Sequence, residues 1–319
     1  MNTPSGPVVI ALGGNAISPE GEEGNIPQQY ERTRRTVVQL ADLIQTGFQL
    51  VITHGNGPQV GNVLRRVELA AAEIYPLPLD TCVADTQGGM GYMIAQCLTN
   101  ELAHRSVDRT VGTVVTSVEV DANDPAFDYP AKPIGNWYNP SRGNELIARH
   151  GWQMIEHPVR GMRRVVPSPA PQRIVELDLI RMLVEQQQTI VAAGGGGIPV
   201  AHRPGVGLVG CEAVIDKDLT SALLATRLGA AVFVIVTSVN RVSINFDTPD
   251  QHELDSLTVA QARDYLQQGH FPPGSMGPKI EASIKFLAES QRDDARVIIC
   301  GMDAISEALA GKSGTVIEP

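Results

Sequence analysis

The stretch Val8-Val9-Ile10-Ala11-Leu12-Gly13-Gly14-Asn15 decides the fold, because an apolar run of strand length ends in a turn almost without side chains. The pattern recurs where residues 48–53 run into His54-Gly55-Asn56-Gly57 and residues 189–193 run into Gly194-Gly195-Gly196-Gly197. Glycine lets backbone N–H groups approach an anion closely, and a following helix N-terminus favours negative charge. The carboxyl ends of parallel strands meet at one sheet edge, where open α/β folds bind ligands. The sequence therefore predicts a phosphate site between strand ends.

Patterns typical of strands and of helices alternate along most of the chain, which indicates βαβ units and a parallel sheet. Residues 28–45 carry a helical apolar stripe that stops at Gly47, and Pro58 suits the first turn of the next helix. Residues 110–120 alternate as one strand would, and residues 230–236 form the continuous apolar run of a strand buried on both faces. We therefore predict one α/β domain.

The segment 121–171 differs from the rest of the chain. It holds eight of the 22 prolines and both tryptophans, Trp137 and Trp152. An insertion of this size between sheet strands is more typical of a functional excursion than of a linker. We predict that it forms a small protruding lid on a first lobe of residues 1–212, with residues 213–319 as a second lobe.

Composition limits the partners of the chain. The 319 residues include 25 basic and 35 acidic ones, and the net charge of −10 argues against a nucleic-acid surface. No stretch approaches the roughly 20 apolar residues of a membrane span, and the first residues lack the basic and apolar segments of a signal peptide. The four cysteines are scattered, as is typical of buried thiols in a reducing compartment. We expect a cytoplasmic protein that binds neither nucleic acid nor membrane.

Three motifs suggest other functions but lack the required context. Gly205–Gly210 fits G-x-G-x-x-G, yet it follows His202-Arg203-Pro204 rather than a strand, so a dinucleotide site is not favoured. Gly311-Lys312-Ser313 resembles the end of a P-loop, but Ser306 stands where the first glycine belongs. His54 has no second ligand at metal-binding spacing, so a structural histidine is favoured.

Three lysines have unusual surroundings. Lys217 lies between two aspartates after an apolar run, Lys279 lies at the start of a helical pattern, and Lys132 lies in the proline-rich excursion. A cation in the first turn of a helix is locally unfavourable, which favours an anion beside it. Any one of them alone could be an ordinary solvated lysine. Because they occur together with the glycine turns, a functional role for the three is favoured.

Phosphoryl transfer requires little covalent help from a protein. It requires in-line alignment and positive charge around the moving group, which glycine turns and lysines supply. An aspartate that orients the lysines completes such a site. Asp218 is best placed for this role, with Asp80 and Asp85 as alternatives.

Long stretches of the chain resemble the amino acid kinase family, nearly from end to end and in the order typical of the family. They are residues 11–16, 54–62, 78–84, 86–88, 132–135, 165–169, 194–199, 212–218 and 269–282. The resemblance implies a three-layer αβα sandwich around a mainly parallel, eight-stranded sheet, and a homodimer. It also implies that the γ-phosphoryl group of ATP, which arrives with Mg²⁺, passes reversibly to carbamate to give ADP and carbamoyl phosphate. The expected direction is ATP synthesis in the catabolism of arginine or another carbamoylated nitrogen compound.

The resemblance further implies roles for individual residues, with carbamate in the first lobe and ATP in the second. Catalytic roles fall to the three lysines and to one aspartate that orients them by charge-assisted hydrogen bonds; these residues are Lys132, Lys217, Lys279 and Asp218. The phosphoryl group and carbamate would contact Gly13, Gly14, Asn15, Gly55, Asn56, Gly195 and Gly196. The nucleotide would lie against Thr237, Ser238, Val239, Met276, Gly277 and Pro278. No residue is predicted as a dedicated metal ligand.

The chain departs from the family pattern in two places. The usual T-G-V-D-x-V is replaced by a stretch with Ser238 and Asn240, and the usual proline and aromatic residue after Lys-Pro-Ile-Gly are replaced by Asn136-Trp137. Two alternatives therefore stay open. One is a kinase of the same fold with another small carboxylate as acceptor, and the other is a nucleotide-binding relative without phosphoryl transfer.

Overall fold

The computed structural model describes residues 4–14, 17 and 24–319. Within these residues the strands are β1 (Val8–Leu12), β2 (Leu50–His54), β3 (Val111–Thr113), β4 (Ser117–Val120), β5 (Lys132–Tyr138), β6 (Gln153–His157), β7 (Gly161–Val166), β8 (Pro171–Ile174), β9 (Thr189–Val191), β10 (Ile198–Arg203), β11 (Gly207–Gly210), β12 (Val232–Thr237), β13 (Val242–Ile244), β14 (His252–Leu254), β15 (Ser256–Thr258), β16 (Arg296–Gly301) and β17 (Thr315–Glu318). The helices are α1 (Ile26–Gln45), α2 (Gly57–Ala70), α3 (Leu79–His104), α4 (Pro140–His150), α5 (Leu177–Glu185), α6 (Lys217–Arg227), α7 (Val259–Gln267), α8 (Met276–Glu289) and α9 (Ile305–Leu309).

Eight strands form the central sheet in the order β15-β17-β16-β12-β1-β2-β9-β3. Every neighbouring pair is parallel except β16 and β17, which are antiparallel. The strands β1, β2 and β9 are neighbours, so the three glycine-rich turns that follow them share one edge of the sheet. The prediction of a mainly parallel, eight-stranded sheet is confirmed.

Helices cover both faces of this sheet and give it three layers. Val9 and Ala11 of β1 pack in a core with α5, α6, α7 and α8, whereas Val8, Ile10 and Leu12 pack in a second core with α1, α3 and α9. All five side chains are at most 1% exposed. A central parallel strand buried on both faces must be apolar at every position, which explains the unbroken apolar run.

Several of the predicted elements are confirmed. Helix α1 contains the predicted apolar stripe and ends at Gln45, two residues before Gly47. Pro58 lies in the first turn of α2. Strand β12 lies within the apolar run 230–236 apart from its last residue, and five of its six residues are buried.

The prediction of one strand over residues 110–120 is wrong. The segment forms two strands in different sheets, β3 in the central sheet and β4 in a second sheet with the order β11-β10-β4-β8. Between them, the side-chain oxygen of Gln87 accepts the backbone N–H of Thr116 at 2.8 Å, and its amide donates to the carbonyl of Thr116 at 3.0 Å. Gln87 belongs to α3, so this helix binds both backbone groups of Thr116. The chain therefore leaves the central sheet at Thr116.

A separate antiparallel sheet with the order β5-β7-β6 lies within the proline-rich segment and packs with helix α4. We call residues 132–166 the lid sheet. Its first strand contacts α2 of the main body. The boundaries 121–171 for the lid and the division into lobes of 1–212 and 213–319 stay predictions.

None of the helices in the described part of the chain combines the length and the apolar character that a bilayer crossing requires.

Candidate active site

The three glycine-rich turns contact one another at the carboxyl edge of the central sheet. A Cβ atom on Gly55 would lie 3.0 Å from the backbone nitrogen of Gly14, so the first and second turns are in backbone contact. A Cβ on Gly195, whose φ is +66°, would lie 2.2 Å from Nδ2 of Asn56, so the Asn56 side chain of the second turn packs directly against the third turn. Side chains at these glycines would push the turns apart, which explains why the sequence leaves them bare.

Hydrogen bonds fix the second and third turns to the helices beside them. The buried amide of Asn56 donates to the hydroxyl of Thr86 on α3 at 2.8 Å. The hydroxyl of Thr220 on α6 donates to the carbonyl of Gly196 at 2.8 Å. The backbone groups that face the cavity are therefore held in place by α3 and α6.

Two lysines share one buried aspartate beside these turns. Lys217 lies in the first turn of α6 and donates to Oδ1 of Asp218 at 2.6 Å, and Lys279 in the first turn of α8 donates to Oδ2 at 2.9 Å. The Asp218 side chain is only 5% exposed. The geometry thus favours Asp218 for the orienting role. Asp80, one of the two alternatives, lies instead against Gly210 of β11.

The charges of this trio determine its protonation. Burial would raise the pKa of Asp218, but the two ammonium groups and their hydrogen bonds outweigh it and hold the pKa well below its ordinary range. Burial lowers the pKa of Lys217. The negative charge of Asp218 acts in the opposite direction and favours the protonated lysine. The ionised Asp218 therefore holds the two lysine side chains close together beside the glycine turns.

Lys132, the first residue of β5, reaches the same region from the lid sheet. Its ammonium donates to Oδ2 of Asp216 at 2.7 Å, immediately before α6. A cavity of about 310 Å³ lies between these groups. Its lining includes Gly14, Gly55, Asn56, Lys132, Arg163, Gly195, Asp216, Lys217, Asp218, Pro278 and Lys279. Glycine turns and cations thus surround one small space, which suits a compact anion.

A larger cavity of about 810 Å³ adjoins the small one. It runs along Thr237, Ser238 and Val239 at the end of β12 and includes Met276 at the start of α8. The two cavities share part of their lining, namely Gly14, Gly274, Ser275 and Lys279. A ligand in the larger cavity would therefore meet a ligand in the smaller one beside the Lys279 ammonium.

The remaining predicted residues lie close to the cavities without all lining them. Gly13 lines the larger cavity, and Pro278 lines the smaller one rather than the larger. Gly196 and Gly277 are buried but line neither cavity. Asn15, predicted to contact the transferring phosphoryl group, lies outside the described residues.

Arg163, which was not among the predicted site residues, lines the small cavity from β7. Its Nε donates to the carbonyl of Gly135 at 3.0 Å, and its guanidinium lies 5.6 Å from the Trp137 ring. Among the described residues it forms no ion pair, and burial lowers its pKa. The neighbouring Arg164 instead pairs with Glu212 at 2.9 Å. The sequence carries the Arg-Arg pair, but it does not say which arginine faces the cavity.

His54 and the G-x-G-x-x-G motif at Gly205–Gly210 have structural explanations. His54 is 1% exposed, its Nδ1 lies 3.1 Å from the Gly55 carbonyl, and burial lowers its pKa to about 4. The expectation that Gly205–Gly210 does not follow a strand is wrong, because His202 and Arg203 end β10. The motif forms the turn after β10 and the antiparallel strand β11, so it lacks the following helix of a dinucleotide site. Within the described ranges, no group of three or more His, Cys, Asp or Glu side chains has the geometry of a metal site.

Parallel strands that end in glycine turns, with lysines at two helix starts, define an α/β protein built to bind phosphate groups. The model of the amino acid kinase family matches residues 6–301. The chain belongs to this family.

Individual relatives match nearly the whole chain. Carbamate kinase of Thermococcus kodakarensis is 46% identical over 97% of this chain and 98% of its own length. Carbamate kinase-like protein YahI of Escherichia coli K12 is also 46% identical, over 97% and 98% of the two chains. The solved structure of carbamate kinase from Giardia lamblia bound to AMP-PNP superposes with a TM-score of 0.92, at 36% identity and with 98% of each chain covered.

Proposed function

We propose that this chain transfers a phosphoryl group reversibly between ATP and carbamate, and so interconverts ATP plus carbamate with ADP plus carbamoyl phosphate. The observation that carries the proposal is the junction of a nucleotide-sized cavity with a small cationic one at Gly14 and Lys279. Relatives named carbamate kinase match almost the whole chain, and kinases of this family use ATP and ADP.

In the proposed reaction an oxygen of carbamate attacks the γ-phosphorus of ATP, and the bond from that phosphorus to the β,γ-bridging oxygen breaks. ADP leaves with this oxygen, and carbamoyl phosphate forms without proton transfer at phosphorus. In reverse, a terminal β-phosphate oxygen of ADP attacks carbamoyl phosphate and releases carbamate. The protein must align the two oxygens and stabilise the charge between them.

The described residues suit these tasks. The N–H groups of Gly13 and Gly55 donate to the carbonyls of Val236 and Leu12, so the N–H groups of Gly14 and Asn56 would hold the phosphoryl oxygens. Lys217 and Lys279 would stabilise the charge that develops on either side of the phosphoryl group. Lys132 and Arg163 would approach from the lid sheet. Thr237, Ser238, Val239 and Met276 would line the nucleotide, since they surround the larger cavity.

Mg²⁺ belongs to the proposal as a companion of the nucleotide phosphates, whose charge it would neutralise. Asp218, a buried carboxylate that lines the small cavity, already accepts from two lysines. The phosphate oxygens are therefore the natural ligands. A homodimer, a cytoplasmic location and net ATP synthesis in the catabolism of arginine or another carbamoylated nitrogen compound stay predictions.

A different acceptor remains the second candidate. The E. coli relative named only carbamate kinase-like is as similar, at 46%, as the T. kodakarensis carbamate kinase. The choice of phosphoryl donor in the assay below separates carbamate from another small carboxylate.

The test is ATP formation from ADP, Mg²⁺ and freshly prepared carbamoyl phosphate, with acetyl phosphate as a parallel donor. We expect carbamoyl phosphate to be preferred in kcat/KM, and Lys217→Ala to lower kcat by roughly 100-fold or more while ADP still binds. Preference for acetyl phosphate would move the assignment to another acceptor. Nucleotide binding by calorimetry without ATP formation from either donor would favour a non-catalytic relative.

A further inference from the structure

Asp216 joins the lid sheet to the main body through its two carboxylate oxygens. Oδ1 accepts the backbone N–H of Asp218 at 2.9 Å and caps the N-terminus of α6. Oδ2 accepts from the ammonium of Lys132 at 2.7 Å. The two residues are 84 positions apart in the chain, and both line the small cavity.

The cap orients this carboxylate. Since Oδ1 is bound to the start of α6, Oδ2 has a fixed direction, and it points to the lid lysine. A lysine side chain is long and has several rotatable bonds, so an unattached Lys132, which is 36% exposed, would spend much of its time in solvent. An ammonium group has three donors, so one bond to Asp216 leaves two for an anion.

We propose that Asp216 is a positioning residue that holds the Lys132 ammonium at the small cavity and so ties the lid sheet to the start of α6. The proposal rests on the function proposed above, because Lys132 would meet the carbamoyl phosphate there. Asp216 differs in this from Asp218, whose partners Lys217 and Lys279 both belong to the main body.

Asp216→Asn separates the two tasks of the side chain. The amide oxygen of asparagine is as good a helix cap as a carboxylate oxygen, so the start of α6 is kept. The negative charge that attracts Lys132 is lost. Far-UV circular dichroism and the melting temperature check that the variant is folded, and Asp216→Ser, which caps but cannot reach Lys132, serves as a second variant.

The first test is a double-mutant cycle in the ATP-forming direction with Asp216→Asn, Lys132→Ala and the double variant. We expect Asp216→Asn to raise KM for carbamoyl phosphate roughly 10-fold, with KM for ADP changed less than about 2-fold. In the Lys132→Ala background the same change should have almost no effect, because the two residues act as a unit. Equal losses in both backgrounds, or an equal rise in both KM values, would overturn the proposal.

The second test does not depend on activity. Trypsin cleavage after the exposed Arg160 of the lid sheet should be faster in ligand-free Asp216→Asn and in Lys132→Ala, and no faster in the double variant than in either. Glu145→Gln, which removes a lid charge whose ion pair among the described residues is with Arg142 of the same helix, is the matched control and should cleave like wild type. If Asp216→Asn were cleaved at the wild-type rate, the proposal that Asp216 ties the lid sheet to α6 would be overturned. If wild type formed no ATP from carbamoyl phosphate, the proposed function would fail. The trypsin test would still show whether Asp216 ties the lid sheet to α6.

Discussion

Asp218 is the residue on which the charge of the site depends. Lys217 and Lys279 both donate to it, at 2.6 and 2.9 Å, in a place where all three side chains are at most 15% exposed. Without its charge, two neighbouring ammonium groups would repel each other in a poorly solvated space. One carboxylate thus makes two cations available to a phosphate.

We predict that Asp218→Asn costs about 3–5 kcal/mol of unfolding free energy, as removal of one partner from a buried ion pair does. We also expect kcat to fall by roughly 100-fold, because the lysines lose their orientation. Urea unfolding and initial rates of ATP formation measure the two effects. Asp178→Asn removes an exposed partner of Arg181 and should change neither. Unchanged kcat in Asp218→Asn would contradict the orienting role.

At the same scale, the buried His54 should make the stability of the protein depend on pH. Its pKa is lowered by burial from 6.5 to about 4, so the folded protein binds the proton only near pH 4 while the unfolded chain binds it near 6.5. Stability is therefore lost as the pH falls through this window, by up to about 3 kcal/mol at 1.36 kcal/mol per pKa unit. Denaturant unfolding between pH 7 and pH 4 should show this loss in wild type and a smaller one in His54→Gln. His202→Gln, at an exposed position, should follow wild type; parallel curves for His54→Gln would refute the assignment.

At the scale of elements, the glycine turns set the shape of the site. Gly195 and Gly205 both have positive φ, +66° and +77°. An added Cβ would lie 2.2 Å from the Asn56 amide at Gly195, whereas nothing lies within 4 Å at Gly205. Both alanine variants carry the backbone cost of a non-glycine residue at positive φ, about 1–2 kcal/mol. Of these two variants, only Gly195→Ala also has a steric clash with a neighbouring residue.

We predict that Gly195→Ala lowers kcat/KM for carbamoyl phosphate by roughly 10-fold or more, because Asn56 and its turn must shift by an ångström-scale distance. Gly205→Ala should lose stability but keep its kcat/KM. Steady-state kinetics and thermal melting of both variants separate the two terms. Equal kinetic losses in the two variants would show that contact between the turns does not matter.

Some of the strands and contacts near the site could be predicted from the sequence, and others could not. The apolar runs and glycine turns predicted the strands beside the site, because a strand buried on both faces has an unmistakable composition. The break at Thr116 was not predictable, since it depends on Gln87 from another element. The pairing of Lys132 with Asp216 and the orientation of Arg163 were missed for the same reason. Contacts between distant residues depend on how elements pack, which local patterns do not encode.

At the scale of the whole molecule, the small cavity lies between two bodies that both carry cations. The lid sheet contributes Lys132 and Arg163, and the main body contributes Lys217 and Lys279. Asp216 and Asp218 neutralise part of this charge, and the four cations still exceed the two carboxylates, so the cavity has a net positive charge that an anion would neutralise. An anion that fills the cavity should therefore hold the lid sheet against the body, and a nucleotide in the adjoining cavity should add to this through Lys279.

We predict that ADP and carbamoyl phosphate together slow trypsin cleavage after Arg149 and Arg160 several-fold, and that either ligand alone has a smaller effect, since each neutralises only part of the charged junction. Cleavage after Lys312, an exposed site of the main body, is the internal control and should stay unchanged. Lys217→Ala should reduce the protection, because the body then lacks one of its two cations. Rates that are equal with and without both ligands would mean that the lid sheet does not close on the site. The cations of β5 and β7 would then have to act from the positions they hold in this structure.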